Sequence, residues 1–144
     1  MLAEEHTTRG VRETWQVAEE VARLLPRGGV VALSGELGAG KTTFVQGLAR
    51  ALGIHRPVTS PTFTLVGEYE GAGTRRLVHM DLYRIRTPDD LLAIGFAEYL
   101  ETGALVAIEW PERGGDLIPD DAVRVSLRAT DDPDTRLIRI ERRG

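Results

Sequence analysis

Cysteine is absent from this chain of 144 residues. That excludes a disulfide framework, a thiolate metal site and redox chemistry at sulfur, and it fits a reducing compartment. Asparagine is absent too, while arginine is abundant; because Asn is thermolabile, the two biases point to a skewed genome or a hot habitat. No apolar run approaches the roughly 20 residues needed to cross a bilayer. The opening MLAEEHTTRG lacks the basic and then apolar order of a signal peptide, so the expected location is the cytoplasm, with no membrane association. Positive charge is in deficit, with a formal net charge of −4. Such a chain does not hold nucleic acid by itself, since neutralising phosphates takes a clustered basic surface. The pairs Arg75-Arg76 and Arg142-Arg143 read as solvated surface. Lysine occurs once, at Lys41, against seventeen arginines.

What is present is an ordinary globular composition, 42% hydrophobic and 28% charged, in a length that suits one domain spanning 1–144. TWQVAEEVARLL, over 14–25, repeats apolar residues at helical spacing and leaves Glu19, Glu20 and Arg23 on another face. VVALS, over 30–34, is a short β-branched run suited to a strand buried on both faces. A glycine-rich stretch follows it directly. Helical period then returns in TTFVQGLARALG, with Gly53 placed to end the helix in a left-handed cap. FTLVGEYE (63–70) and RLVHMDLYR (76–84) predict an antiparallel pair joined by GAGT. TPDDLLAIGFAEYLE has Thr87 as N-cap, Pro88 at the first helical position and Gly95 as a point of division into two helices. ALVAIE, over 104–109, is a second continuous apolar strand, and AVRVSLRA with TRLIRIER alternate as half-exposed strands in a C-terminal hairpin around TDDPDT. The fold class this predicts is α/β: three layers, a mainly parallel central sheet with antiparallel additions, and the glycine-rich loop at the sheet's carboxyl edge.

Gly35, Gly40, Lys41 and Thr42 satisfy G-x-x-x-x-G-K-[ST], and the strand before and helix after are the context that motif requires, so the stretch reads as the P-loop of a nucleoside triphosphatase fold. Glycines let backbone N–H groups from Gly38, Ala39, Gly40, Lys41, Thr42 and Thr43 converge on phosphate, assisted by the helix N-terminus. Lys41 reaches the β- and γ-phosphates as a compact point charge, and Thr42 offers a hydroxyl to Mg²⁺. Arginine's planar fork does not fit such a nest, which explains why a chain rich in arginine keeps lysine here. The expected cofactors are ATP and Mg²⁺. With no asparagine, the N-K-x-D element for guanine cannot be written.

Phosphate hydrolysis also takes an acid near the metal, at the carboxyl end of a neighbouring strand. Asp81 closes LVHMD and Glu109 closes ALVAIE. Either suits magnesium, with the other orienting water; the residues alone do not rank them. On a regular strand His79, Asp81 and Tyr83 share a face, so His79 suits either orienting Asp81 or contacting a partner, though a lone His on an apolar strand is ordinarily structural and is not assigned a catalytic role. In TSPTFT, between the P-loop helix and the next strand, Thr62 is the candidate γ-phosphate sensor, against the plainer reading of a turn. Trp110 suits either lining the nucleotide site or anchoring a partner, and Trp15 suits packing.

GELGAGKTTF, TSPTFTLV, HMDLYRI and IEWPER, in that order, resemble the TsaE (YjeE) family, the ATPase of bacterial tRNA threonylcarbamoyladenosine (t6A) biosynthesis. The resemblance spans about 14–113. It implies a small Mg-dependent ATPase, slow without partners, that supports the threonylcarbamoyl transferase formed by TsaB and TsaD and meets tRNA only through that complex. Carried onto matching positions, it makes Lys41 and Thr42 phosphate and metal residues, puts Glu109 in the metal site and gives Asp81 a part in hydrolysis. It also assigns Thr62 to a switch and sets Trp110 and Glu112 near the nucleotide. The expected catalytic set is then Asp81, Lys41 and Thr62. Two rivals share the P-loop: a small-molecule kinase with a lid bearing Arg84 and Arg86, and a nucleotide-gated regulatory module that does not hydrolyse.

Overall fold

The computed structural model describes residues 2–36, 38–61 and 65–143. Seven strands form one sheet: β1 (Leu2–Arg9), β2 (Gly29–Ser34), β3 (Val66–Glu70), β4 (Arg76–Asp81), β5 (Leu105–Glu109), β6 (Val123–Ala129) and β7 (Thr135–Arg142). Their order is β1-β7-β6-β2-β5-β4-β3. The four central strands, β6, β2, β5 and β4, run parallel, and β3, β7 and β1 are added antiparallel at the two sides. The expected α/β class with a mainly parallel centre is the one observed. Parallel strands need both faces covered, and the apolar runs of β2 and β5 are buried almost throughout.

Alternation along the strands sorts the core into two layers. Val31, Leu33, Leu77, Leu105, Ala107 and Val125 face a layer made by α1 (Val11–Arg23) and α2 (Lys41–Ala51). Val30, Ala32, Val78, Met80, Val106 and Ile108 face the other, made by α3 (Pro88–Ala93), α4 (Phe96–Glu101) and a 3-10 segment, Pro111–Leu117. The buried stripe of α1, Thr14, Val17, Ala18, Val21 and Ala22, includes Val17 and Val21 of the stripe read from the sequence, but the helix ends at Arg23 and Leu24, also read as part of the stripe, is exposed. The helix lies close against α2, because a Cβ on Gly47 would stand 2.7 Å from Ala18 Cβ and 2.9 Å from Trp15 Cα. Thr87 caps α3 by accepting from the Asp90 N–H at 3.4 Å, and Gly95 (φ 89°) separates α3 from α4 as expected.

Two findings depart from the sequence reading. Residues 2–9 carried no assigned element, yet they form β1, paired from Leu2 opposite Arg142 to Arg9 opposite Thr135. The strand is mostly exposed, with only Thr8 buried, so it has no apolar alternation to announce it; β7's free edge supplies its backbone partners. The strand expected to run through residue 84 stops at Asp81. The Tyr83 N–H turns back to Asp81 Oδ1 at 3.0 Å, an Asx-type turn, so Tyr83 leaves the strand face that holds His79 and Asp81. Its antiparallel partner begins at Val66; residues 63 and 64 lie outside the described residues.

Candidate active site

In a parallel sheet the carboxyl ends of neighbouring strands share one edge, which is where ligands bind. Here that edge gathers the loop after β2, Asp81 at the end of β4, Glu109 at the end of β5 and the β6–β7 turn. The loop's positive-φ glycines, Gly38 (83°) and Gly40 (102°), make a path that L side chains rarely adopt. Gly35 is required for a different reason: a Cβ there would come within 2.7 Å of the Leu127 carbonyl.

Lys41, the first residue of α2, is buried at 6% exposure. Its Nζ donates to the Gly35 carbonyl at 2.5 Å and lies 4.0 Å from the Trp110 ring centroid. An ammonium has three donors, so this arrangement leaves two. Trp110 itself has φ 58°, in the left-handed region that costs a non-glycine residue about 1–3 kcal/mol unless its surroundings enforce it. Tyr83 helps to do so, with ring centroids 5.0 Å apart.

Asp81 and Glu109 are register neighbours on β4 and β5, buried at 5% and 4% exposure. They are held differently. Asp81 accepts from the Tyr83 N–H through Oδ1 and from the Ser60 hydroxyl through Oδ2, at 3.0 and 3.3 Å. Glu109 Oε2 accepts from His79 Nε2 at 2.6 Å. His79 is fully buried, and its Nδ1 has no hydrogen-bond partner among the described residues. The sequence reading left His79 to orient Asp81, to contact a partner or to serve structurally; the structure pairs it with Glu109.

These groups open on a cavity of about 660 Å³. Its lining includes Gly38, Gly40, Lys41, Thr42 and Thr43 of the loop and α2, the polar Ser60, Asp81 and Glu109, and the aromatic Tyr83 and Trp110. Arg136 of β7 completes the lining. Among the expected residues, Ala39 is buried beneath the loop and Glu112 is exposed on the 3-10 segment, and neither lines the cavity. Thr62 lies outside the described residues. Arg84 and Arg86 are exposed and line no part of it. Sequence reasoning passed over Ser60, which belonged to the TSPTFT segment it had singled out, and Arg136, which stands 98 residues from Gly38 and carries no local signal. The β6–β7 turn beside Arg136 is ordered by Asp132, which accepts from the Asp134 N–H and the Thr135 hydroxyl. Those hydrogen bonds, the backbone one first, hold the Asp132 carboxyl below the ordinary carboxylate range.

The family model for "Threonylcarbamoyl adenosine biosynthesis protein TsaE" matches residues 8–138. A tRNA threonylcarbamoyladenosine biosynthesis protein TsaE from Treponema pallidum is 44% identical over 125 residues, covering 87% of this chain and 91% of its own. The Aquifex aeolicus protein of the same name is 46% identical over 114 residues, covering 78% and 80%. The crystal structure of YdiB from Bacillus subtilis superposes with a TM-score of 0.81 at 32% identity, over 99% of this chain and 87% of that one. A match that begins in β1 and ends within β7 takes in the glycine loop, both strand-end acids and the hairpin that carries Arg136, and on that ground the chain belongs to the TsaE family of threonylcarbamoyl adenosine biosynthesis proteins.

Proposed function

We propose that residues 1–144 act as one P-loop ATPase domain that binds ATP with Mg²⁺ in this cavity, hydrolyses its β–γ phosphoanhydride, and so supports t6A modification of tRNA. The observation that carries this reading is the convergence of Lys41, Thr42, Asp81 and Glu109 on one cavity at the carboxyl edge of the sheet. Family membership supports the t6A part. By the resemblance, the partners are TsaB and TsaD in the cytoplasm, with tRNA reached through their complex.

The donor set suits magnesium. Among the described residues no cluster of three His, Cys, Asp or Glu side chains is close enough to cage a metal. Mg²⁺ is ordinarily held by one or two carboxylates or hydroxyls together with substrate phosphates and water, and Thr42 and Glu109 would supply those hard oxygens. A magnesium ion held there would supply positive charge to offset that of the nucleotide's phosphates.

The chain's own residues would do the rest. The glycine loop directs N–H groups at the phosphates, and Lys41 places its two remaining N–H donors on the β- and γ-oxygens where charge accumulates. Asp81, fixed by Ser60 and the Tyr83 N–H, orients the attacking water in line with the bond to the leaving ADP oxygen. His79 keeps the Glu109 carboxylate aimed at the cavity. Thr62 is the proposed γ-phosphate sensor of the switch. In this reading Trp110 flanks the phosphates through its contact with Lys41, and Glu112 stands nearby on the 3-10 segment that follows.

The test is multi-turnover t6A formation with TsaB, TsaD, tRNA and ATP, comparing the wild-type chain with Lys41→Ala and Asp81→Ala. Repeated cycles that need the wild-type chain and stop with either substitution support the ATPase. Full multi-turnover modification by an Asp81→Ala chain that binds ATP without hydrolysing it would replace the ATPase with a nucleotide-gated module. A chain that neither hydrolyses ATP nor affects modification would overturn the proposal.

A further inference from the structure

Two grooves of about 420 and 480 Å³ lie on the α1–α2 layer, and they share Trp15 and Arg50. None of their lining residues lines the cavity at the sheet's carboxyl edge. Arg50 rests over the Trp15 ring, 4.2 Å from its centroid, and Arg56, in the first groove, rests over the Tyr69 ring at 4.5 Å. Arg12 lines the second groove. All of Arg12, Arg50 and Arg56 are exposed, and among the described residues none of them is ion-paired, although acids outnumber bases in the chain. Glu19 is the one acid in either lining, and it has Arg23 at 4.0 Å.

Stacking decides which part of each guanidinium is free. A cation whose planar face rests on an aromatic ring keeps its in-plane N–H groups for acceptors at the side. The Arg12 and Arg50 side chains make no hydrogen bond among the described residues, and Arg56 gives Nη2 to the Glu68 carbonyl. Trp15 is a firm base for Arg50, since a Cβ on Gly47 would stand 3.1 Å from its Cδ1. What this face offers is a set of in-plane cationic donors, with the exposed Gln16 amide beside them.

That chemistry selects an oxyanion, and the rest of the lining selects phosphate over a protein's carboxylates. Ile54 and Val58 of the first groove are buried in the core at 5% exposure, and no exposed large hydrophobic lines either groove. A protein partner ordinarily meets an apolar centre in its interface, which this face lacks. Arginine and glutamine side chains contact a sugar-phosphate backbone without one.

We propose that this face binds the phosphate backbone of RNA through Arg12, Arg50 and Arg56. The proposal goes beyond the function argued above, in which tRNA is reached through the partner complex, by adding a direct contact. A net charge of −4 pointed away from nucleic acid because it counts charges without placing them; Arg12, Arg50 and Arg56 come together only in the fold. Binding through so few contacts on an acidic chain is weak and depends on salt.

The experiment is filter binding of the full chain to an unmodified tRNA transcript, without nucleotide, between about 50 and 200 mM salt. The logarithm of the wild-type affinity should fall with that of salt concentration at a slope of about −2 to −3, as for three phosphate contacts. Arg12→Ala and Arg50→Ala should each weaken binding about fivefold and make the slope shallower by about one. Arg50→Gln keeps a planar amide over Trp15 without the charge, so it should show the same loss and decides the matter if the alanine variant does not fold. Arg143→Ala, which removes an exposed charge elsewhere, should match wild type. A wild-type chain that does not bind at about 50 mM salt, or groove variants that match it, overturns the proposal. An equal loss from Arg143→Ala overturns it too, since total charge would then be the cause. Variants that bind tRNA normally but no longer assemble with TsaB and TsaD would give the face to a protein's carboxylates instead. None of these outcomes bears on the ATP reading, because no nucleotide is in the assay.

Discussion

At the scale of single residues, Lys41 and His79 show how burial turns one side chain into a requirement. Lys41 is packed between the Gly35 carbonyl and the face of Trp110, a space shaped for a slim stem and a compact ammonium. Lys41→Arg keeps the charge but replaces a compact ammonium by a planar fork with a different donor geometry. We expect ATP turnover to fall by about a hundredfold or more, as when a transition-state donor is removed, measured as phosphate release with the partners present. Among the described residues, His79 is the one hydrogen-bond donor to the buried Glu109 carboxylate. His79→Leu leaves a buried charge unpaired and should cost about 3 kcal/mol, read from urea unfolding, whereas His79→Gln retains an N–H donor and should cost less than half of that. Equal losses in the two variants would mean that packing, not the hydrogen bond, is what His79 supplies.

At the scale of elements, the loop is held from both sides. α2 carries Lys41 and Thr42 at its first turn and is fixed in place by α1, which it approaches closely at Gly47. Gly47→Val puts a branched side chain where even a Cβ meets the Trp15 and Ala18 positions, so the helices must separate. The gain in helix propensity over glycine is under about 1 kcal/mol, and overpacking costs about 1–3 kcal/mol, so the variant should be destabilised, with a lower urea midpoint. On the other side the β6–β7 hairpin presses Leu127 and Arg136 against the loop backbone. Both supports are regular elements rather than loops, and such supports hold a site to tighter geometry.

At the scale of the whole molecule, the sheet places its acids and its C-terminal hairpin on opposite sides of one glycine loop, and β1 closes the far edge. Because the truncation keeps Thr8, the register partner of Arg136, and β1 touches neither β2 nor its loop, a chain lacking residues 1–7 should bind ADP within about twofold of the full chain. It should also self-associate in sedimentation experiments, because the edge of β7 is then unpaired. A large loss of ADP affinity would instead show that β1 supports the site through β7. Much of this architecture was legible from residue order. Apolar runs buried on both faces, helix stripes at 3.6-residue spacing, Thr87 and Gly95 as boundaries, and the strand–glycine loop–helix context of Lys41 are local patterns whose physical meaning does not depend on distant partners. β1 was not legible, since a polar edge strand has no periodicity of its own and exists because β7 offers it hydrogen bonds. Neither was the difference in how Asp81 and Glu109 are held, which the sequence shows only as two strand-end acids. By itself the sequence determined the fold class, the strand–glycine loop–helix unit and the candidate acids, because propensity, burial pattern and backbone freedom are encoded within a few residues of where they act. Only the tertiary structure decided that His79 serves Glu109, that Ser60 reaches Asp81 and that Arg136 reaches the loop from 98 residues away, because those contacts depend on strand order and side-chain reach across a folded sheet.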